Sequence, residues 1–151
     1  MFKKGILLIV AISTLFLIIN ETILTKEEKP QVKFVLADKA IPYKITNYSW
    51  GKVLNKDKLI MKDTDSSVKG TEGTSAFMGE YVHIHFSDRP ENVEILEHKK
   101  HKKSYIYDQN TNDYEGYAFQ IDSQKGERVF EVRGIWKGNN YVTYIIKLKV
   151  S

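Results

Sequence analysis

Two histidines, His83 and His85, stand at i and i+2 in the run Glu80 to Phe86. On an extended strand both imidazoles leave the same face, roughly 6.5–7 Å apart at the backbone. Such a pair can share a Zn²⁺ or Cu²⁺ ion if a neighbouring strand brings a third ligand, and His98 and His101 are the candidates for that role. The competing reading is a polar outer face, because Val82, Ile84 and Phe86 already supply the apolar face of the same run. Asp63 and Asp65 begin a calcium-loop pattern, but Val68 stands where that loop needs glycine and Thr74 where it needs a bidentate Glu. The stretch therefore reads as a turn-rich, solvated loop.

The run His98-Lys99-Lys100-His101-Lys102-Lys103 carries a different chemistry. Lys99, Lys100, Lys102 and Lys103 can contact an anionic surface, either lipid head groups or a wall polymer, at about 1 kcal/mol per lysine. The two histidines add charge to the same run as the pH falls through the imidazole range. Alternatively the run is a charged edge that discourages strand-to-strand association. Trp50 and Trp136 read as core aromatics, with a ligand platform as the alternative.

Other chemistries find no support in the residues. There is no cysteine, which removes disulfides, thiolate metal sites and a thiol nucleophile. No nucleophile elbow, zinc-protease helix motif or phosphate loop occurs, so the chain is expected to be neither an enzyme nor a holder of a cofactor. The net charge is +4. Lys3 and Lys4 account for +2 of it and the four clustered lysines outweigh the rest, which leaves the remainder slightly acidic. A nucleic-acid binder carries a broader basic stripe, so that class is set aside.

These residues need elements to position them. Lys3 and Lys4 precede the apolar run Gly5 to Ile19, the pattern of a signal sequence. As a helix that run reaches roughly 22 Å, short of the ~30 Å hydrocarbon layer, whereas Phe2 to Leu24 would cross it. No small-x-small cleavage triplet follows Ile19 closely, so residues 1–24 are expected to stay as an anchor, with secretion after cleavage as the alternative. The lysines keep the N-terminus inside and the rest outside. Residues 25–42 read as a tether, with one short strand at Val32 to Leu36. The domain is expected over 43–151.

Strand signals follow at Glu80 to Phe86, Asn92 to His98, Lys103 to Asp108, Gly116 to Ile121, Arg128 to Lys137 and Tyr141 to Val150. In the last pair Phe130, Val132 and Trp136 share one face, as do Val142, Tyr144, Ile146, Leu148 and Val150. Gly138-Asn139-Asn140 between them tolerates positive φ. About seven short strands without an amphipathic helix predict an all-β, antiparallel sandwich.

Tyr48 to Trp50, Val82 to Ile95 and Glu127 to Val150 together resemble small extracytoplasmic immunoglobulin-like proteins of Bacillus-type Firmicutes. The resemblance implies an immunoglobulin-like sandwich with no assigned reaction and therefore no catalytic residues. The function expected is a membrane-tethered, non-catalytic binding or structural module of the envelope, with the membrane and an envelope protein or polymer as partners. A metal-binding envelope protein built on His83 and His85 is the alternative.

Overall fold

Period-two alternation becomes eleven strands in the computed structural model, which describes residues 12–14, 27–52, 55–61, 64–98, 105–109 and 117–151. In chain order these are β1 (Val32–Leu36), β2 (Lys39–Ile41), β3 (Tyr43–Trp50), β4 (Asp57–Ile60), β5 (Thr74–Ala76), β6 (Tyr81–Phe86), β7 (Asn92–His98), β8 (Tyr105–Gln109), β9 (Tyr117–Gln120), β10 (Gly126–Trp136) and β11 (Asn140–Val150). A one-turn helix, α1 (Thr64–Ser67), precedes β5. Ile12, Ser13 and Thr14 are helical, and the rest of the anchor expected over 1–24 lies outside the described residues. Among the described residues no helix is long and apolar enough to cross a membrane.

The strands form two layers. The smaller sheet has the order β2-β1-β6-β9 and the larger β4-β3-β11-β10-β7-β8, with β5 beside the end of β11. The β5–β11 pairing is parallel. The others are antiparallel, as expected. The β10–β11 hairpin holds register from Gly126 opposite Val150 to Trp136 opposite Asn140. Its turn places Gly138 and Asn139 at positive φ (71° and 58°), which the glycine and asparagine there accept cheaply.

The inward phase of this hairpin is the one the alternation predicts. Phe130, Val132, Trp136, Val142, Tyr144, Ile146, Leu148 and Val150 are all buried. They meet Phe34, Val82, Ile84 and Phe119 of the smaller sheet in one core. Phe34 and Phe86 approach Tyr144 at 5.9 and 6.2 Å, and Phe119 approaches Phe130 at 5.0 Å. Each such side chain contributes about 1.5–3 kcal/mol by leaving water. The outer face of the larger sheet is partly covered too. Lys44 donates to the carbonyl of Ser67 and Lys147 to that of Thr71, which pins residues 67–71 beside Ile145, only 1% exposed.

Two expectations are corrected. The tether does not extend to residue 42, because β1 and β2 lie in the smaller sheet and bury Val32, Phe34, Leu36 and Ile41. The strand number exceeds about seven because β2, β4 and β5 are three or four residues long, and neither they nor the longer β3 show a clean alternation. Short edge segments take their extended shape from a neighbour rather than from their own pattern.

Trp136 folds back over Gly134, where an added Cβ would sit 2.5 Å from the indole Cη2. Trp136→Ala should cost about 3–5 kcal/mol of a stability near 5–15 kcal/mol. Gly134→Ala should cost about 1–3 kcal/mol by displacing the ring. Urea denaturation reads both. Burial, with a smaller contribution from Tyr43, pushes the Tyr144 phenol well above its ordinary value of 10.0. Below that pH the ring is neutral folded or unfolded. Above it the unfolded chain ionises first, so stability should fall as pH rises, and Tyr144→Phe should flatten that fall.

Candidate functional site

The two ends of the hairpin define two poles with opposite chemistry. One is where β10 begins and β7 ends, since His98 pairs with Val129. The other is where β10 ends and β11 starts. Val129 and Trp136 lie on one strand, so the poles stand roughly 23 Å or more apart at ~3.3 Å per residue.

At the first pole Arg128 is clamped by carboxylates. Its Nε and Nη2 donate to the two oxygens of Glu97 at 2.7 and 2.6 Å, and Nη1 donates to Asp122 Oδ1 at 2.6 Å. The Arg128 and Glu97 side chains are each 3% exposed. Burial alone would pull the guanidinium pKa down, but the bonds to Glu97 and Asp122 outweigh it and the pKa rises. Both residues continue the core phase, Glu97 after Val93 and Ile95, Arg128 before Phe130 and Val132. A charge in phase with the core is the signal in the sequence that marks this network.

A cleft of about 600 Å³ opens beside the clamp, lined by Lys69, His98, Lys125, Arg128 and Lys147 among others. Its acids are engaged: Glu97 by Arg128, and Glu127 by Lys147 at 3.2 Å. His98 Nε2 lies 3.0 Å from Glu131 Oε2. Lys69 and Lys125 have no ion pair among the described residues. The cleft can thus present cations to an anionic group.

At the second pole Trp50 and Trp136 cross edge to face, centroids 5.2 Å apart, and Phe86 meets Trp136 at 5.5 Å. The indole N–H of Trp136 donates to the carbonyl of Asp88 at 3.1 Å, and Tyr117 fixes the same loop through Pro90 at 3.1 Å. A cleft of about 390 Å³ lies here, lined by both tryptophans with Asp88, Glu91, Lys137 and Asn140. The chain also enters at this pole: Glu27 lines the cleft, and Gln31 and Ser87 are joined by two hydrogen bonds at the end of β6.

No family model matches the chain, and a search of the curated proteins finds no match.

The residues singled out from the sequence are distributed unevenly. His83 and His85 face outward from β6, with His83 opposite Val35 and Ala118 and His85 opposite Lys33. Among the described residues no group of three His, Asp or Glu side chains could hold a metal ion. His98, expected as a third ligand, sits in the other sheet. His101, Lys99, Lys100, Lys102 and Lys103 lie outside the described residues, as does Asp63 of the calcium-like stretch; Thr64 to Ser67 are the helix α1. Trp50 and Trp136 prove to be core aromatics that also line a cleft.

Glu97→Gln should destabilise the domain by about 3–5 kcal/mol, because it leaves a buried guanidinium short of charge. The double replacement Glu97→Leu with Arg128→Met should recover most of that loss. Chemical denaturation of the single and double variants measures both.

Proposed function

We propose that the chain is a membrane-tethered, non-catalytic binding module of the bacterial envelope, and that its docking surface takes a polyanionic polymer lying away from the membrane. The observation that carries this reading is the separation of the poles. The segment leading from residues 1–24 enters at the aromatic pole. β7 ends at the ionic pole with His98, and the cleft there holds Lys69 and Lys125. A tether attached at one pole directs the other outward, so lysines there address a wall polymer rather than the bilayer that holds the anchor. Four lysines beside an anionic surface supply at most about 4 kcal/mol, a millimolar-scale affinity suited to avidity on a repeating polymer.

The resemblance to immunoglobulin-like proteins supports this reading through the layering of two sheets. The strand order is less alike: an immunoglobulin constant domain places its last strand at a sheet edge, whereas β11 is interior here. Immunoglobulin-like layering hosts many functions, so the charged surface rather than the fold supports this role.

The test uses the full chain in zwitterionic lipid discs with added teichoic-type polymer. Binding should fade as salt shortens the Debye length from roughly 10 Å at 0.1 M to 3 Å at 1 M. Lys69→Gln with Lys125→Gln should weaken it about thirtyfold, at about 1 kcal/mol per lysine, without lowering the melting temperature. Protease added to wall-less cells should remove the domain. Equal binding by the Gln variant, tighter binding to anionic lipid than to polymer, or protection from protease would each overturn the proposal.

A further inference from the structure

Residues 67–71 lie over the outer face of the larger sheet near the ionic pole. Toward the aromatic pole β7, β10 and β11 turn Asn92, Glu94, Arg133, Ile135 and Tyr141 outward, all of them half-buried. Glu94 and Arg133 stand directly opposite each other in the β7–β10 register. Opposite charges so placed commonly pair across the strands, yet these two do not. Arg133 turns to the other side and lays its guanidinium over the Tyr141 ring, 4.1 Å from the centroid. Its Nε is enclosed there, so the exposure that the side chain keeps belongs to its other atoms. Among the described residues neither Glu94 nor Arg133 has an ion-pair partner. One acid and one base are left unmatched, side by side on neighbouring strands.

We infer that this part of the face is the contact between two copies of the chain, stacked sheet on sheet about a two-fold axis parallel to the strands and midway between β7 and β10. Such an axis exchanges the two strands. Arg133 of each copy then lies over Glu94 of the other, and both unmatched charges are satisfied at once. Ile135 and the Tyr141 ring supply apolar and aromatic surface beside the pairs, and Tyr and Arg are the residues that interface centres favour. The outer face of the smaller sheet lacks this property, because it carries Lys33, His83 and His85 with no acid to meet them in a second copy. The direction of the axis is also the one that a shared membrane allows. It runs from pole to pole, so both chains enter at the same end. Antiparallel pairing of two β4 edges, where Ile60 is 72% exposed, would send the two tethers apart. Only this choice of axis rests on the tethered reading; the match of charges does not. Paired copies present two lysine clefts at one end, which suits a repeating polymer.

The chain has no cysteine, so Ser123→Cys, in the exposed turn before β10, gives a single position for a dye. Donor- and acceptor-labelled full chains are reconstituted together in zwitterionic vesicles without polymer. Energy transfer is followed as the protein-to-lipid ratio rises, and for the parent it should saturate above the level of random proximity. Arg133→Glu or Glu94→Arg alone sets like charges face to face twice and should weaken association about thirtyfold or more. The double exchange should restore it. Mixing the two single variants should restore it too, since one then carries both acids and the other both bases. A pair within one chain gives no such recovery on mixing. Glu94→Gln should weaken association about tenfold with the melting temperature unchanged, and it serves if a reversed charge prevents folding. The inference is overturned if the parent shows random proximity alone, or if the mixed single variants stay apart. Transfer that survives each single variant, as association through the anchors alone would give, overturns it equally. Polymer binding is read separately on the same proteins, so the two readings stand or fall apart from each other.

Discussion

Two sheets held together without a disulfide depend on what fills the space between them, and here that is an aromatic seam. Phe34, Tyr144, Phe86, Trp136 and Trp50 meet in series at centroid distances of 5.2–6.2 Å. Successive members come from alternate sheets up to the final Trp136–Trp50 contact, so the seam joins the layers along much of their length. Edge-to-face contacts of this kind add about 0.5–1.5 kcal/mol each beyond the area they bury. Gly134 makes room for the widest member by giving up its own side chain.

The seam ends at the aromatic pole and is absent at the other, which is closed by charge instead. Arg128 and Glu97 occupy positions in phase with the core, where hydrophobic residues of similar volume would hold the layers at least as well. What the ion cluster adds is a fixed geometry. A bidentate guanidinium locks β7 to β10 and, through Asp122, to the turn before β10. The lysines of the neighbouring cleft are thereby held around a rigid floor. The molecule has a greasy end where the chain enters and an ionic end facing away from it.

Much of this was legible from residue order. Phe130, Val132 and Trp136 alternate, Val142, Tyr144, Ile146, Leu148 and Val150 alternate across the turn, and the Gly-Asn turn between the strands leaves little freedom in register. The strands around Tyr81–Phe86 and Asn92–His98 were readable for the same reason. The edge strands were not: Asp57 to Ile60 exposes Leu59 and Ile60, and Thr74 to Ala76 is too short for a period to appear. The poles were opaque for another reason. Trp50 and Trp136 are distant in sequence, and only the β3–β11–β10 register sets them side by side. Glu97 and Arg128 look like ordinary surface charges until their phase is compared with that of Ile95 and Phe130.

The interior position of β11 bears on when the domain can exist at all. β11 bonds to β10, β3 and β5, so the larger sheet has no centre until the last described strand has been made. Synthesis at about 5–20 residues per second takes roughly 8–30 s to reach it, longer than the milliseconds to seconds in which all-β domains fold. Throughout that interval β1 to β10 lack the strand that unites them. A chain of this connectivity carries its own delay: the larger sheet closes only after synthesis has reached β11.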